Sequence, residues 1–234
     1  MGADTKEGGD LMSRKTQEFG SRDLDALIGG GLEPGILTQI FGGPAGGKST
    51  LCILAAVSVL RSGKGVIFID TEGFSIERFR QVAGEDAEKL AENLYLYEPA
   101  DFGQQGEMIA DSDKILRAKK AGLLILDSAT AFYRAERESG REAMQRLVAQ
   151  LILLLGYAKR YGIPVILTNQ VYMDLEKNQY AGLGGTPLEH LSKVIIRLDR
   201  VDGRRRATLT KHRSRPEGAS FDFLITETGI QPVE

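Results

Sequence analysis

IFGGPAGGKST, residues 40–50, sets four glycines and a lysine between an apolar run and an alanine-rich one. So little side chain at a junction that could have packed says something about the backbone there. Gly42, Gly47, Lys48 and Ser49 hold the fixed places of G-x-x-x-x-G-K-[ST], with Gly43, Pro44, Ala45 and Gly46 between them and Thr50 following. This is the phosphate-binding loop pattern. Its required setting is present: ILTQIF upstream reads as a short buried strand, and STLCILAAVSVLRSG downstream reads as a helix stopped at Gly63. Glycines let backbone N–H groups turn toward a polyphosphate without Cβ clashes, and the helix N-terminus adds a favourable partial charge. Lys48 is placed to reach the β and γ phosphates of ATP, and Ser49 to offer its hydroxyl to Mg²⁺.

Working outward from the loop, apolar runs alternate with longer periodic segments. GVIFIDTEG, NLYLYEP, AGLLILDS and IPVILTNQ read as strands, with helical segments between them at residues 75–94, 106–120 and 139–160. Short continuous apolar strands separated by helices predict an α/β fold whose mostly parallel, twisted sheet is covered on both faces. Beyond Gln170 the pattern changes. VIIRLDRVDGRRRATLTKHR is two alternating runs around Asp202-Gly203, a hairpin signal, and ASFDFLITETG follows as another strand, so antiparallel edge strands are expected to finish the sheet. Residues 1–18 open with polar, Gly-rich MGADTKEGGD and are expected to be a disordered tail; residues 19–234 are expected to form one core domain.

Composition narrows the setting. With 42% hydrophobic residues, 234 residues can bury one sizeable core. The single cysteine, Cys52, cannot form an internal disulfide and lies on the helix after the loop, where a packed thiol is expected; this points to a reducing cytoplasm. No apolar run approaches the ~18 residues of a membrane span, so no membrane partner is expected. The net charge of −2 conceals an asymmetry: residues 193–215 hold nine Lys/Arg against Asp199 and Asp202, a local net of +7, leaving −9 for the rest. Such a segment reads either as a face that meets a polyanion or as a pair of solvated strands. In the first reading about 3 to 5 of the nine cations would contact phosphates, because alternate strand residues face opposite ways.

Carboxylates and amides sit at predicted strand ends, where open parallel sheets bind their ligands. Asp127, closing LLILDS, is where a Mg²⁺-supporting carboxylate belongs. FIDTEG places Asp70 and Glu72 together; the geometry of proton transfer favours Glu72 as the general base for an attacking water, with Asp70 as cap or buttress. LTNQV ends the next strand with Asn169 and Gln170, amides able to sense a γ-phosphate and pass its presence onward. The Gly-rich, polar stretch VYMDLEKNQYAGLGGTP that follows is either a functional loop or an ordinary surface connection.

Taken in order, the phosphate loop, FIDTEG, LLILDSATAFYRAE, VILTNQV, GG and KHRSRPEG resemble the recombinase branch of the RecA superfamily, most closely its archaeal RadB paralogues, from about Phe19 to the C-terminus. The resemblance implies a RecA-type P-loop NTPase core, with Glu72 as catalytic glutamate and Asp127 as the Walker B aspartate. It makes Gln170 the residue that couples nucleotide to a second DNA loop at about residues 171–185, and puts a first DNA loop near residues 134–141. Arg78, in TEGFSIER, corresponds to a residue that contacts adenine, although this stretch is one residue shorter than the usual recombinase pattern. KHR resembles the bacterial pattern in which two cations reach a neighbour's γ-phosphate, so Lys211 and Arg213 are expected to act in trans.

Strand-exchange recombinases of this branch carry an N-terminal helix-hairpin-helix domain and a linker motif; with about 40 residues before the loop, neither is expected here. The implied function is therefore an ATP-binding, weakly ATP-hydrolysing, DNA-binding protein that assists homologous recombination and repair. The implied partners are DNA with little sequence preference, the main archaeal recombinase, a Holliday-junction resolvase and further copies of the chain. Rival expectations are an active recombinase without the extra domain, a KaiC-like ATPase sharing the GGGLEPG lead-in, and a nucleotide-gated adaptor. DNA-stimulated turnover, phosphate on the protein's own Ser or Thr, and partner binding without hydrolysis separate them.

Overall fold

The computed structural model describes residues 15–136, 140–174 and 179–233. After a short helix α1 (Arg22–Leu27), β1 (Leu37–Gly42) runs into the glycine loop and α2 (Lys48–Arg61). Then follow β2 (Gly65–Asp70), α3 (Ile76–Ala83), a single 3₁₀ turn, α4 (Ala87–Ala91), β3 (Leu94–Tyr97), α5 (Phe102–Arg117), β4 (Ala121–Asp127), α6 (Ala131–Ala135) and α7 (Arg141–Tyr161). The chain continues through β5 (Val165–Asn169), β6 (Val171–Asp174), β7 (Gln179–Gly182), α8 (Gly185–Leu191), β8 (Ser192–Val201), β9 (Arg204–His212), β10 (Ser220–Thr226) and β11 (Gly229–Val233).

Nine strands form one sheet in the order β11-β10-β9-β8-β1-β5-β4-β2-β3. From β8 to β3 neighbours are parallel, and from β8 to β11 they are antiparallel. The alternation of apolar side chains explains why both faces are covered. In β2, Val66 and Phe68 pack on one side with Leu51, Val59 and Phe79 from α2 and α3. Ile67 and Ile69 pack on the other with Phe102 and Ile109 from α5 and with Leu147, Leu151 and Leu154 from α7. Successive strand residues point to opposite faces, so a run without polar interruption needs helices on both. Cys52 is buried in the first of these cores.

Several local expectations are met with adjusted boundaries. The turn between β8 and β9 is Asp202-Gly203, with φ of 48° and 81°, the left-handed pair a two-residue hairpin needs. α5 begins at Phe102 rather than at 106, because Asp101 caps it by accepting the Gln104 N–H at 2.8 Å. Gly106, which looked like a helix start, is an interior residue; a Cβ there would meet Gln150 Nε2 of α7 at 3.1 Å, so the glycine serves close packing of the two helices. The stretch 171–185, expected as loop, is instead the antiparallel pair β6–β7 leading into α8, with residues 175–178 outside the described ones. Of the expected tail, residues 1–14 lie outside the described residues, while Gln17 exchanges both backbone hydrogen bonds with Leu32 at 2.9 and 2.8 Å. Among the described residues no helix is long and apolar enough to cross a membrane.

Candidate functional site

The loop after β1 stands at the carboxyl edge of the parallel strands. Gly47 has φ of 103°, which a side chain would strain, and it hands the chain directly to the first turn of α2. At Gly42 a Cβ would lie 2.3 Å from the Leu198 carbonyl of β8, so the loop starts where two strands approach too closely for any other residue. Lys48 Nζ donates to the Gly42 and Gly43 carbonyls, both at 3.1 Å. The ammonium is thus held inside the curve of the loop by neutral acceptors, contacts that a phosphate oxygen would replace with stronger ones.

Beside the loop, β2, β4 and β5 end together. Asp127, at the end of β4, is fully enclosed; burial pushes its carboxyl up, while hydrogen bonds from Thr168 Oγ1, at 2.5 Å, and from Ser49 pull it partly back. Asp70, opposite Asp127 in the β2–β4 register, accepts the Gly73 N–H at 2.6 Å and so shapes the turn that carries Glu72. Burial raises the Asp70 carboxyl to about 6, with Asp127 and Glu98 adding to the rise and the Gly73 N–H opposing it. Glu72 projects from this turn into solvent, and its Oε1 accepts from Gln170 Nε2 at 2.5 Å across 98 residues of sequence. Among the described residues Gln170 Oε1 is buried without a partner, an acceptor left open beside the loop. Asn169 is spent on structure, accepting from Thr130 Oγ1 and donating to the Leu183 carbonyl, both at 2.9 Å.

A cavity of about 500 Å³ joins these groups. The loop from Pro44 to Thr50 forms its floor, and Glu72, Gln170, Arg134, Arg205 and Ile225 line its walls. Three cations, Lys48, Arg134 and Arg205, therefore meet one exposed carboxylate, Glu72, in a space floored by backbone N–H groups: an environment for a polyanion. Among the described residues no group of three or more His, Cys, Asp or Glu could hold a metal by itself, so an ion here would lean on the ligand's own oxygens. The hydroxyl of Ser49 beside the enclosed carboxylate of Asp127 is the hard-oxygen pair that suits Mg²⁺ in that setting.

Arg78, expected as a ligand, and Lys211 and Arg213, expected to serve a neighbour's site, stand outside this cavity. Arg78 does not line the cavity; its guanidinium donates to the carbonyls of Thr226, Glu227 and Gly229 at 2.5, 3.1 and 2.9 Å, clamping the β10–β11 turn to α3. Lys211 lines a separate cavity of about 450 Å³ with Gln39, Thr186 and Glu189, donating to the Glu189 carbonyl at 2.6 Å, and burial together with Lys193 pushes its ammonium down. Arg213 pairs with Glu33. Within this chain neither Lys211 nor Arg213 faces the phosphate loop. Of the expected DNA loops, Arg134 belongs to the cavity wall and residues 137–139 lie outside the described ones.

The basic hairpin also differs from expectation. Far from the phosphate loop in sequence, it comes back onto it: Arg205 Nε donates to the Ala45 carbonyl at the loop's tip, at 3.1 Å. Most of its cations already have partners. Arg197 pairs with Asp199 and Arg206 with Asp222, while Lys193 and Arg215 donate to the carbonyls of His190 and Ala26. Among the described residues this leaves Arg200 and Arg204 exposed and without a side-chain hydrogen bond or ion pair. Sequence reasoning missed Arg205 and Ile225 as cavity residues; strand alternation puts Arg205, Phe223 and Ile225 on one face of β9–β10, but nothing in the sequence fixes how far that face reaches.

The Rad51 family model matches residues 14–233. The DNA repair and recombination protein RadB of Methanoculleus marisnigri is 62% identical over 216 residues, covering 92% of this chain and 96% of that one. RadB of Archaeoglobus fulgidus is 44% identical over 224 residues, covering 94% and 100%. A crystal structure of the RadB recombinase superposes with a TM-score of 0.80 at 38% identity, covering 94% of this chain and 100% of the other. Relatives of such identity along nearly their whole length, on a sheet of this topology with the glycine loop at its carboxyl edge, place the chain in the Rad51 family, among its RadB DNA repair and recombination proteins.

Proposed function

We propose that the cleft binds ATP with Mg²⁺ and hydrolyses it slowly, and that the nucleotide state governs how the protein engages DNA while it assists recombination and repair. The observation that carries this reading is one cavity lined by the glycine loop with Lys48, Arg134 and Arg205, and by Glu72 and Gln170, which are joined at 2.5 Å. Lys48 takes the β and γ phosphates, and Ser49 with Asp127 supports Mg²⁺. Gln170 donates to one Glu72 oxygen, which orients the carboxylate and leaves the other oxygen to accept a proton from water. Because Val171 opens β6 directly after Gln170, the same amide ties the catalytic wall to the β6–β7 hairpin, a route by which nucleotide could be felt at a DNA-contacting segment.

To the same proposal belong a single core domain over residues 19–234, a cytoplasmic setting, contacts with the main recombinase and a Holliday-junction resolvase, and self-association in which Lys211 and Arg213 serve a neighbour's site. The placement of these two cations away from their own chain's cavity supports a role in trans. ATP turnover measured with and without single-stranded DNA, beside a strand-exchange assay, tests the function. Slow turnover with no strand exchange is expected. Vigorous strand exchange would make the protein a recombinase in its own right, and failure to bind ATP would remove the nucleotide reading altogether.

A further inference from the structure

Arg205 is the second residue of β9, and it stands on the phosphate loop without a counter-charge. Nε donates to Ala45 O at 3.1 Å and Nη1 to the Arg204 carbonyl at 3.3 Å, leaving Nη2 with no protein acceptor among the described residues. No carboxylate pairs with it among those residues, whereas the adjacent Arg206 holds Asp222 through two bonds of 2.6 and 2.9 Å. Across the ladder Arg205 stands directly opposite Arg200, which likewise has no ion pair among the described residues. Like charges at directly opposed positions of an antiparallel pair repel. The chain keeps this repulsion beside a cavity that already holds Lys48 and Arg134.

Ile225 extends the same wall. It pairs through β10 with the strand that carries Arg205, and its Cδ1 would lie 3.2 Å from a Cβ placed on Gly47. The β10–β11 turn that follows Ile225 is the one that Arg78 clamps through three carbonyls. The antiparallel extension is thus fastened to the loop, and at the point of contact it presents an arginine that lines the cavity together with Lys48 and Arg134.

We propose that Arg205 is a cis ligand of the bound nucleotide's phosphate chain, so that the β8–β9 hairpin forms one wall of the nucleotide site. This rests on the reading of the cavity as an ATP site. The Ala45 carbonyl is the acceptor that holds the guanidinium near the loop. A phosphate offers the planar fork a charged acceptor instead, which gives shorter and stronger bonds, and it also relieves the repulsion from Arg200.

The test is calorimetric titration of ATP with Mg²⁺ into the wild type, R205Q, R205K, R206Q and K48A, with thermal unfolding of each in the absence of nucleotide. R205Q should weaken ATP binding about tenfold to a hundredfold, the loss of one charge-assisted contact, and R205K should recover part of it. R206Q, which breaks only the pair with Asp222, should leave affinity within about twofold of wild type. Unfolding of nucleotide-free R205Q should be unchanged or shifted upward, because a repulsive pair has been removed. A purely structural arginine would not give that result. Wild-type affinity in R205Q, with K48A defective, would overturn the assignment and leave the ATP site intact. An affinity loss matched by an equal loss of nucleotide-free stability would reduce Arg205 to a structural latch. Absence of ATP binding by the wild type would overturn this proposal together with the reading on which it rests.

Discussion

The carboxyl edge of the parallel strands and the antiparallel extension beside it both carry charged residues toward one cavity, but they place them by different means. At the carboxyl edge the backbone places the groups. Lys48, Asp70, Glu72, Asp127 and Gln170 each stand within two residues of a strand end or at a helix start, and parallel register brings those ends together. In the extension, long flexible cations select their own acceptors. Arg206 finds Asp222, Arg213 finds Glu33, and Arg205 finds the carbonyl of Ala45 160 residues away in sequence. A short side chain on a fixed backbone can be placed from sequence, whereas the head of an arginine several bonds from its Cα cannot.

If the backbone-placed edge is the nucleotide site, its first cation dominates. K48A should lower ATP affinity by more than about a hundredfold, since the other contacts retain the cradle but lose the charge at its centre, as read by calorimetry. Affinity close to wild type would shift the weight of the site from the edge to the extension. E72Q should bind ATP normally and lose hydrolysis by about 10²- to 10⁴-fold, because the amide still accepts from Gln170 but cannot take a proton. Persistent turnover in E72Q would assign the base to another residue.

Arg78 sharpens the comparison, because it links the two regions. The family resemblance implied adenine contact, while the structure spends its guanidinium on three carbonyls of the β10–β11 turn. R78A should therefore cost about 2 kcal/mol of stability in denaturant unfolding, with a smaller secondary loss of ATP affinity as Ile225 loosens over Gly47. The reverse pattern, stability intact and affinity lost, would restore the adenine reading.

Particular residues show what could be read in advance. The loop, the β–α alternation and the Asp202-Gly203 hairpin follow from local rules that need no tertiary partner: the fixed glycine-lysine spacing, apolar runs of strand length and left-handed φ at a turn. Glu72 and Gln170 could be proposed one at a time from their strand ends, but their bond depended on β5 and β2 lying on either side of β4, which only the strand order supplies. The hairpin's net charge was plain, yet its use was not. Counting cations says nothing about Asp222 or Glu33, each of which neutralises one of them from a distant segment. The pair β6–β7 was missed because its polar, glycine-bearing sequence lacks the alternation by which a strand is recognised.

In the pH dependence of stability the two regions should have opposite signs. Asp70, buried beside Asp127 at the carboxyl edge, is raised from 3.8 to about 6, so between those values the folded chain binds more protons than the unfolded one, and stability falls as pH rises through the window. D70N keeps a carbonyl oxygen for the Gly73 N–H and cannot ionise. Measured by denaturant unfolding in the presence of a chelator, it should flatten that slope and be the more stable protein at pH 7, by at most about 3 kcal/mol. Asp222, in the extension, is held below its usual value by its bond to the Arg206 guanidinium. Its contribution is present above the ordinary carboxylate pKa and lost as pH falls below it, so D222N should weaken the protein slightly at neutral pH and remove part of the decline under acid. Equal slopes in wild type and D70N would mean that burial at the edge is not felt by Asp70, while a D222N curve matching D70N in sign would mean that the extension's ion pairs do not hold their carboxylates charged.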